Sequence, residues 1–208
     1  MSLFALIMFG VAGYFAYQIY RHIQTLEDQQ QTIIDVTPLE AKPKEVNDLA
    51  HSLLEEADES YKEGDLERAW EKLSRANEMR PNSCDILNRC AFVQAALGNK
   101  DHAIALYLQS LNFNDEDDLI HNAIASVYKA QEEFATAQEH YEKALRIDAE
   151  YAVTYYNYGN LLVAMDRTSD AVQMYHKALA LQADFPQASD ALAELKNVEK
   201  TKRSMASD

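Results

Sequence analysis

The sequence predicts an all-α protein in which pairs of short helices repeat along the chain. Only 5 glycines and 4 prolines occur among the 208 residues, and alanine, leucine, glutamate and glutamine, which favour helix over strand, are abundant. Small residues recur at an interval of 34 positions over most of the chain. An uncharged run near the N-terminus has the length that a membrane-spanning helix needs. Together these observations predict one transmembrane helix followed by a helical repeat domain.

Residues 1–22 are predicted to form an uncleaved membrane anchor. The run from Leu3 to Tyr20 carries no charge, and at about 1.5 Å rise per residue it roughly crosses a hydrocarbon core of about 30 Å. Tyrosines gather at its C-terminal end, where amphipathic rings favour the headgroup layer. No basic residue precedes the run and no small-x-small cleavage site follows it, so the segment differs from a cleaved signal peptide.

Arg21 gives the only nearby indication of membrane topology. It follows the span, so the positive-inside rule predicts a single-pass membrane protein whose soluble domain is cytoplasmic. A single arginine is a small bias, and the opposite orientation, with the domain in the periplasm, stays open. Residues 23–49 are interpreted as a juxtamembrane helix and a linker that contains Pro38 and Pro43.

Four copies of one pattern follow the linker. The pattern has two small-residue sites twelve positions apart and a bulky site four positions after the second. The first small site holds Ala57, Ala91, Ala125 and Gly159, the second Ala69, Ala103, Ala137 and Ala171, and the bulky site Leu73, Tyr107, Tyr141 and Tyr175. Antiparallel helices approach closely only where each presents little side chain, so the pattern predicts two helices per copy.

The interval sets the predicted domain boundaries. Four repeats are expected at residues 50–83, 84–117, 118–151 and 152–185. The last hairpin needs a cover for its apolar face. A helix at 186–200, with an apolar stripe through Leu192 and Leu195, is predicted to be this cap. Residues 201–208 are predicted to be a flexible tail.

The register resembles that of the tetratricopeptide repeat family, most clearly in YNYGN at 156–160, in DAVQMYHKALAL from Asp170 and in ATAQEHYEKALRID from Ala135. The resemblance implies a right-handed superhelix, an α-solenoid, whose first helices line a concave groove that binds a peptide or a helix of another protein. The chain departs from the family pattern where proline is common, at Asp115, Ala149 and Ala183, and where a large hydrophobic residue is usual, at His121.

Helical position identifies the residues expected in this groove. They are Asn88, Phe92, Asn122, Ser126, Lys129, Tyr156 and Asn160, with Arg89 and Asn157 at the edge. Asparagines can hydrogen-bond an extended backbone, and aromatic rings offer flat apolar contact; the alternative is that these asparagines are merely solvated. The family's carboxylate-clamp form needs lysine and asparagine where Leu54 and Asp58 stand, so that ligand is not expected.

Charge and composition exclude several functions. The net charge is −15, and residues 50–200 contain 27 acidic and 14 basic side chains, which disfavours nucleic acid and anionic lipid as partners. No catalytic grouping, phosphate loop or His/Cys metal cluster occurs, so no enzyme activity, cofactor, metal or small-molecule substrate is expected. Cys84 and Cys90 lie on one predicted helix and cannot form a disulfide with each other.

The sequence therefore predicts a membrane-anchored scaffold or adaptor that binds proteins or peptides through its repeat domain. A periplasm-facing assembly factor or chaperone for exported or envelope proteins is the alternative, and membrane topology distinguishes the two. Self-association through end-to-end stacking of repeats also stays open.

Overall fold

The computed structural model describes residues 43–205, with side chains described for 44–198. Within this range the chain forms nine α-helices and no strand. The helices are α1 (Pro43–Lys62), α2 (Leu66–Met79), α3 (Cys84–Ala96), α4 (Lys100–Leu111), α5 (Asp118–Ala130), α6 (Phe134–Ile147), α7 (Ala152–Ala164), α8 (Thr168–Leu181) and α9 (Pro186–Met205).

The helices pack in sequence order as a solenoid. The most extensive contacts join α3 to α4, α5 to α6 and α7 to α8, and smaller contacts join each of these pairs to the next. α3 also touches α5, and α5 touches α7, so the first helices of successive pairs lie side by side. α9 covers α8 at the end of the stack. The all-helical, tetratricopeptide-like architecture expected from the repeat is thus present in residues 43–205.

The small-residue sites lie where the helices of a pair come together. All four alanines of the second site, Ala69, Ala103, Ala137 and Ala171, are 0% exposed. At the first site of the last pair, a Cβ atom added to Gly159 would lie 2.5 Å from Cε1 of Tyr175. Because no side chain can occupy this space, the Tyr175 ring packs directly on the backbone of α7.

The turns inside the pairs share one backbone conformation. Gly64 (φ 83°), Gly98 (φ 85°), Glu132 (φ 64°) and Asp166 (φ 58°) all have positive φ, and each is 34 residues from the next. Glycine adopts this left-handed region without the steric cost that a Cβ atom brings. The turns after α5 and α7 are therefore built with residues less suited to the shared conformation.

Helix ends agree with local sequence signals. Asp65 caps the N-terminus of α2 by accepting a hydrogen bond of 3.0 Å from the Arg68 amide. Asp117 caps α5 in the same way, with a hydrogen bond of 3.0 Å from the Ile120 amide. Both bonds satisfy amides that have no partner within the helix. α9 begins at Pro186, whose missing N–H is no loss in the first turn.

Three clusters of buried side chains form the core of the described residues, and α5 contributes to the two larger ones. One cluster extends from Leu53 in α1 to Ile124 and Val127 in α5. The other joins Ala125 of α5 to Leu161 of α7 and continues to α9. Each pair therefore buries apolar surface against its neighbours rather than around one centre.

Two predicted boundaries need correction. The sequence interpretation placed residues 43–49 in the linker, but α1 already begins at Pro43, because proline is compatible with the first helical position and no later residue interrupts the helix. The interpretation placed residues 201–205 in a flexible tail, but α9 continues to Met205, since no glycine or proline ends it.

The predicted anchor, residues 1–22, and the juxtamembrane segment before Pro43 lie outside the described residues. Across residues 43–205, no helix combines the length and the apolar character required to cross a membrane.

Candidate partner-binding groove

Three cavities open beside the first helices of the pairs, and together they are called the first-helix groove here. The Phe92 cavity, of about 360 Å³, is lined by α1, α3 and α5 and includes Asn88, Arg89 and Phe92. The Asn122 cavity, of about 370 Å³, includes Phe92, Asn122, Ser126 and Asn157. The Tyr156 cavity, of about 600 Å³, lies between α7, α8 and α9 and includes Tyr156 and Asn160. Such volumes are those of small ligand or side-chain pockets.

The Phe92 cavity has an apolar mouth. Phe92 is 51% exposed and Leu119 is 53% exposed, and the Phe92 ring lies 5.1 Å, centroid to centroid, from the ring of Tyr61. Asn88 lies at the same cavity, and its Oδ1 atom is buried with no hydrogen-bond partner. The cavity thus combines uncovered apolar surface with an unsatisfied acceptor.

Arg89 is held at the rim of this cavity by two carboxylates. Its guanidinium donates hydrogen bonds to Asp58 of α1 and to Asp85 of α3, the latter at 3.0 Å between Nε and Oδ1. The hydrogen bond with Asp58 is the main cause of a raised Arg89 pKa. Two carboxylates and one guanidinium leave the rim with a net negative charge at neutral pH.

The Asn122 cavity is bordered by linked amide and hydroxyl groups. Asn157 Nδ2 donates to Asn122 Oδ1 at 3.2 Å, which ties α7 to α5. Ser126 donates to the Asn122 carbonyl at 3.0 Å, and its hydroxyl lies 2.9 Å from that of Tyr141. These asparagines are therefore tied into the fold, and each amide keeps further hydrogen-bonding capacity.

Lys129 lies one helical turn beyond Ser126 on α5. Its side chain is half-buried, and burial lowers the pKa of the ammonium group. Among the ion pairs formed by residues 44–198, none involves Lys129. It does not line any of the three cavities.

The Tyr156 cavity is bordered on one side by aromatic rings that contact one another at tilted angles. Tyr156 lies 5.9 Å from Tyr175 and 5.2 Å from Phe185 between ring centroids. The Tyr175 hydroxyl donates to Asn160 Oδ1 at 2.7 Å. Much of the Tyr156 ring is consequently used in holding α7 to α8 and to the start of α9.

The tyrosines at the bulky site differ in their hydrogen bonds. Tyr141 pairs with Ser126 and Tyr175 with Asn160, in each case fifteen residues earlier. Fifteen residues before Tyr107 stands Phe92, which has no polar atom in its side chain. Tyr107 is 4% exposed, and burial raises the pKa of its hydroxyl to about 12. No partner for this hydroxyl occurs in the described part of the chain, and Tyr107 lines both the Phe92 and the Asn122 cavity.

Eight of the nine residues expected in the groove thus line its three cavities, and Lys129 lies apart from them. The sequence analysis named Tyr107 only as a bulky residue of the repeat and did not single out Tyr61 or Leu119. Leu119 stands three residues before Asn122, so helical spacing could have indicated it. The unsatisfied Tyr107 hydroxyl could have been found by noticing that Phe92 breaks the polar pattern of Ser126 and Asn160.

The chemistry available in the groove is that of binding. Its side chains supply hydrogen-bond donors and acceptors, aromatic rings and an ion-paired guanidinium. Among the residues that the structure describes, no group of three His, Cys, Asp or Glu side chains could hold a metal ion.

Comparisons with known proteins agree with the repeat architecture. Residues 117–184 match the family model described as "Tetratricopeptide repeat". No curated protein matches the chain significantly. The protein pilF of Pseudomonas aeruginosa is 19% identical with a TM-score of 0.66, over 75% of this chain and 71% of that chain. TTC0263, a thermophilic tetratricopeptide protein of Thermus thermophilus, is 20% identical with a TM-score of 0.65, over 72% and 82%.

A third solved structure contains a bound peptide. It is the first tetratricopeptide domain of Spaghetti (RPAP3) with the HSP90 peptide SRMEEVD. It is 20% identical to this chain with a TM-score of 0.53, over 56% of this chain and 93% of that chain. At these identities the likeness shows the fold alone, and the family model supports tetratricopeptide repeats over residues 117–184, which are less than half of the chain.

Proposed function

We propose that the chain is a membrane-anchored scaffold that binds a peptide or a helix of a partner protein in the first-helix groove. The observation that carries the proposal is the presence of three cavities beside α3, α5 and α7, lined by amide groups and aromatic rings. A protein of similar fold is known with a peptide bound. The fold is also one that generally serves as a scaffold rather than as an enzyme, and the groove offers binding groups.

The anchor is the part of this proposal that depends on sequence alone. The uncharged run from Leu3 to Tyr20 supports it. Arg21 favours a domain on the cytoplasmic side, where the scaffold would gather soluble partners at the membrane. A domain on the other side would act as an assembly factor for exported or envelope proteins. Protease added to sealed inner-membrane vesicles of known orientation distinguishes the two, because the domain is cut only from the side that it faces.

The groove is tested by photocrosslinking in cells that produce the full-length chain. A photoreactive amino acid replaces Asn122 or Asn157 in the groove and, as matched controls, the exposed Glu139 of α6 and Gln173 of α8. We expect a discrete crosslinked partner from the groove positions and none from the controls. Equal crosslinking from all four positions, or none from the groove, would show that the groove is not the binding surface.

A further inference from the structure

The Phe92 cavity has two features that distinguish it from the rest of the groove. Its polar groups lack hydrogen-bond partners, and its apolar side chains are left exposed to solvent. The Tyr107 hydroxyl and Asn88 Oδ1 have no hydrogen-bond partner within residues 44–198, whereas Tyr141 and Tyr175 have theirs. A buried polar atom without a partner, as Asn88 Oδ1 is, destabilises a protein by about 1–3 kcal/mol. The same cavity leaves Phe92 half-exposed at its mouth.

We propose that the Phe92 cavity is the anchor pocket for a partner segment that carries a large apolar side chain flanked by lysine or arginine. The proposal rests on the function proposed above and adds the chemical class of the partner and the place where its main contact is made.

The apolar part of the pocket accounts for the anchor side chain. Tyr61, Phe92 and Leu119 come from three successive first helices and border one cavity of about 360 Å³. Their side chains are 37%, 51% and 53% exposed, respectively. A large apolar side chain placed among them would cover all three, and aromatic residues at such central positions contribute most of the binding free energy in protein interfaces.

The polar part accounts for a peptide backbone beside that side chain. The Tyr107 hydroxyl can donate to a backbone carbonyl, and Asn88 Oδ1 can accept from a backbone N–H. Tyr107 is 4% exposed and lines two adjoining cavities, so a ligand that enters either cavity comes close to its ring. Both groups would gain the hydrogen bonds that the unbound fold does not give them.

Charge complementarity accounts for the flanking lysine or arginine. Asp58 and Asp85 border the pocket with only Arg89 between them. α1, which forms one wall, contains six carboxylates and two lysines. On the opposite wall Leu119 follows four consecutive acidic residues, 115–118. A cationic segment is attracted to these walls and an acidic one is repelled.

The test measures peptide binding by fluorescence anisotropy with the full-length chain held in nanodiscs of neutral lipid. The probe is a short acetylated and amidated peptide with a central Phe-Leu pair between lysines. Two control probes are the same peptide with Ala-Ala at its centre and the acidic peptide SRMEEVD. We expect the first probe to bind at least about tenfold more tightly than either control.

Variants locate the pocket. Phe92→Ser removes the apolar ring from the pocket. The new serine hydroxyl can hydrogen-bond Tyr107 as Ser126 does Tyr141, so we expect the fold to be kept. We expect the affinity for the probe to fall about thirtyfold. Tyr107→Phe removes one hydroxyl, and we expect about a fivefold loss. The matched control Tyr158→Phe removes a hydroxyl that is already bonded to Glu142 and that lies outside the three cavities, so binding should be unchanged. Circular dichroism of each variant verifies folding.

Three outcomes would overturn the inference. Unchanged affinity in folded Phe92→Ser and Tyr107→Phe proteins would show that the partner's main contact lies outside this cavity. Tighter binding of SRMEEVD than of the lysine-flanked probe would show that the pocket prefers an acidic partner. A crosslink from position 119 to residues 1–42 of the same chain would make that segment the occupant. In each case a partner crosslinked from Asn122 or Asn157 would leave the proposed scaffold function standing, and its absence would remove both.

Discussion

At the scale of single residues, one hydroxyl group distinguishes otherwise equivalent tyrosines. Tyr141 and Tyr175 each hydrogen-bond a polar side chain fifteen residues earlier, and Tyr107 faces Phe92 at that position. A tyrosine whose hydroxyl is bonded stabilises the pair of helices that it joins. The hydroxyl of Tyr107 makes no such bond, so the same residue type contributes a hydrogen bond at two of these places in the solenoid and none at the third.

The first prediction compares the two kinds of tyrosine. Tyr175→Phe should lower the free energy of unfolding by about 1 kcal/mol because it removes a hydrogen bond of 2.7 Å to Asn160. Tyr107→Phe should leave the free energy of unfolding unchanged or raise it, because it removes an unsatisfied group. Urea unfolding followed by circular dichroism measures both. Equal losses in the two variants would mean that Tyr107 also has a bonded hydroxyl in solution.

The second prediction concerns the close contact between α7 and α8 at Gly159. Gly159→Ala should lower the free energy of unfolding by about 1–3 kcal/mol, since its Cβ would lie 2.5 Å from the Tyr175 ring. The ring is 2% exposed and its hydroxyl is tied to Asn160, so it cannot move aside freely. Thermal or urea unfolding measures the loss.

A double variant verifies this cause. The first pair has alanine and leucine, Ala57 and Leu73, at the two equivalent positions. Gly159→Ala should therefore cost much less in a Tyr175→Leu background, and an undiminished cost would exclude the ring as the source of the strain.

At the scale of elements, the turns inside the pairs repeat one conformation with unequal residues. Gly64 and Gly98 suit a positive φ, whereas Glu132 at 64° and Asp166 at 58° bring a Cβ atom into it. Aspartate tolerates this region better than glutamate because its short side chain can bond locally. The turn between α5 and α6 is thus the least favourable of the four.

The third prediction exchanges glycine between turns. Glu132→Gly should raise the free energy of unfolding by about 1 kcal/mol, because the strain at positive φ exceeds the entropy that glycine adds to the unfolded chain. The matched change Gly98→Ala should lower it by a similar amount. Both are measured by urea unfolding, and a destabilised Glu132→Gly protein would contradict this account of the turn.

At the scale of the whole molecule, each pair of helices is stabilised by packing against its neighbours, and some helices pack on both sides. α5 belongs to both of the larger core clusters, so a change beside it affects both halves of the solenoid. His121 of α5 is 7% exposed where the family usually has a large hydrophobic residue, and its Nδ1 lies 3.0 Å from Nδ1 of His140 in α6. A buried imidazole and a half-buried one therefore join α5 to α6.

Burial lowers the pKa of both imidazoles, that of His140 to about 4, and Lys143 adds to the effect by repulsion. Asp117 acts in the opposite direction and Arg146 in the same direction on His121. The unfolded chain takes up these protons below a pH of about 6.5. The folded chain binds these protons only at lower pH, because both pKa values are lowered in the fold. The contribution of the pair to stability is therefore complete above a pH of about 6.5 and is lost as the pH falls towards 4.

The fourth prediction tests this pH dependence. The free energy of unfolding should fall between pH 6.5 and 4 more steeply in the natural protein than in a His121→Leu, His140→Gln variant. Urea titrations at a series of pH values measure the difference. His176→Gln, at an exposed position of α8, is the control and should keep the natural slope. Parallel slopes in all three proteins would show that the carboxylates, not this imidazole pair, set the acid response.

The sequence by itself determined the number, order and pairing of the helices, because small residues recur every 34 positions at the places where paired helices are in contact. A small residue at each crossing and a bulky one beside it are requirements of close packing, so they can be recognised without coordinates. The helical period also indicated eight residues that line the groove. Boundaries near Pro43 and Met205 were harder to predict, since local propensities there permit a helix without requiring it.

Only the tertiary structure decided which groups in the groove have partners. The bond from Tyr175 to Asn160, the link from Asn157 to Asn122 and the unsatisfied Tyr107 hydroxyl depend on distances between residues far apart in the chain. Their spacing in sequence permits several partners, and the packing of neighbouring pairs selects one. The Phe92 cavity follows from this selection, because a partner for its polar groups is absent from the rest of the described fold.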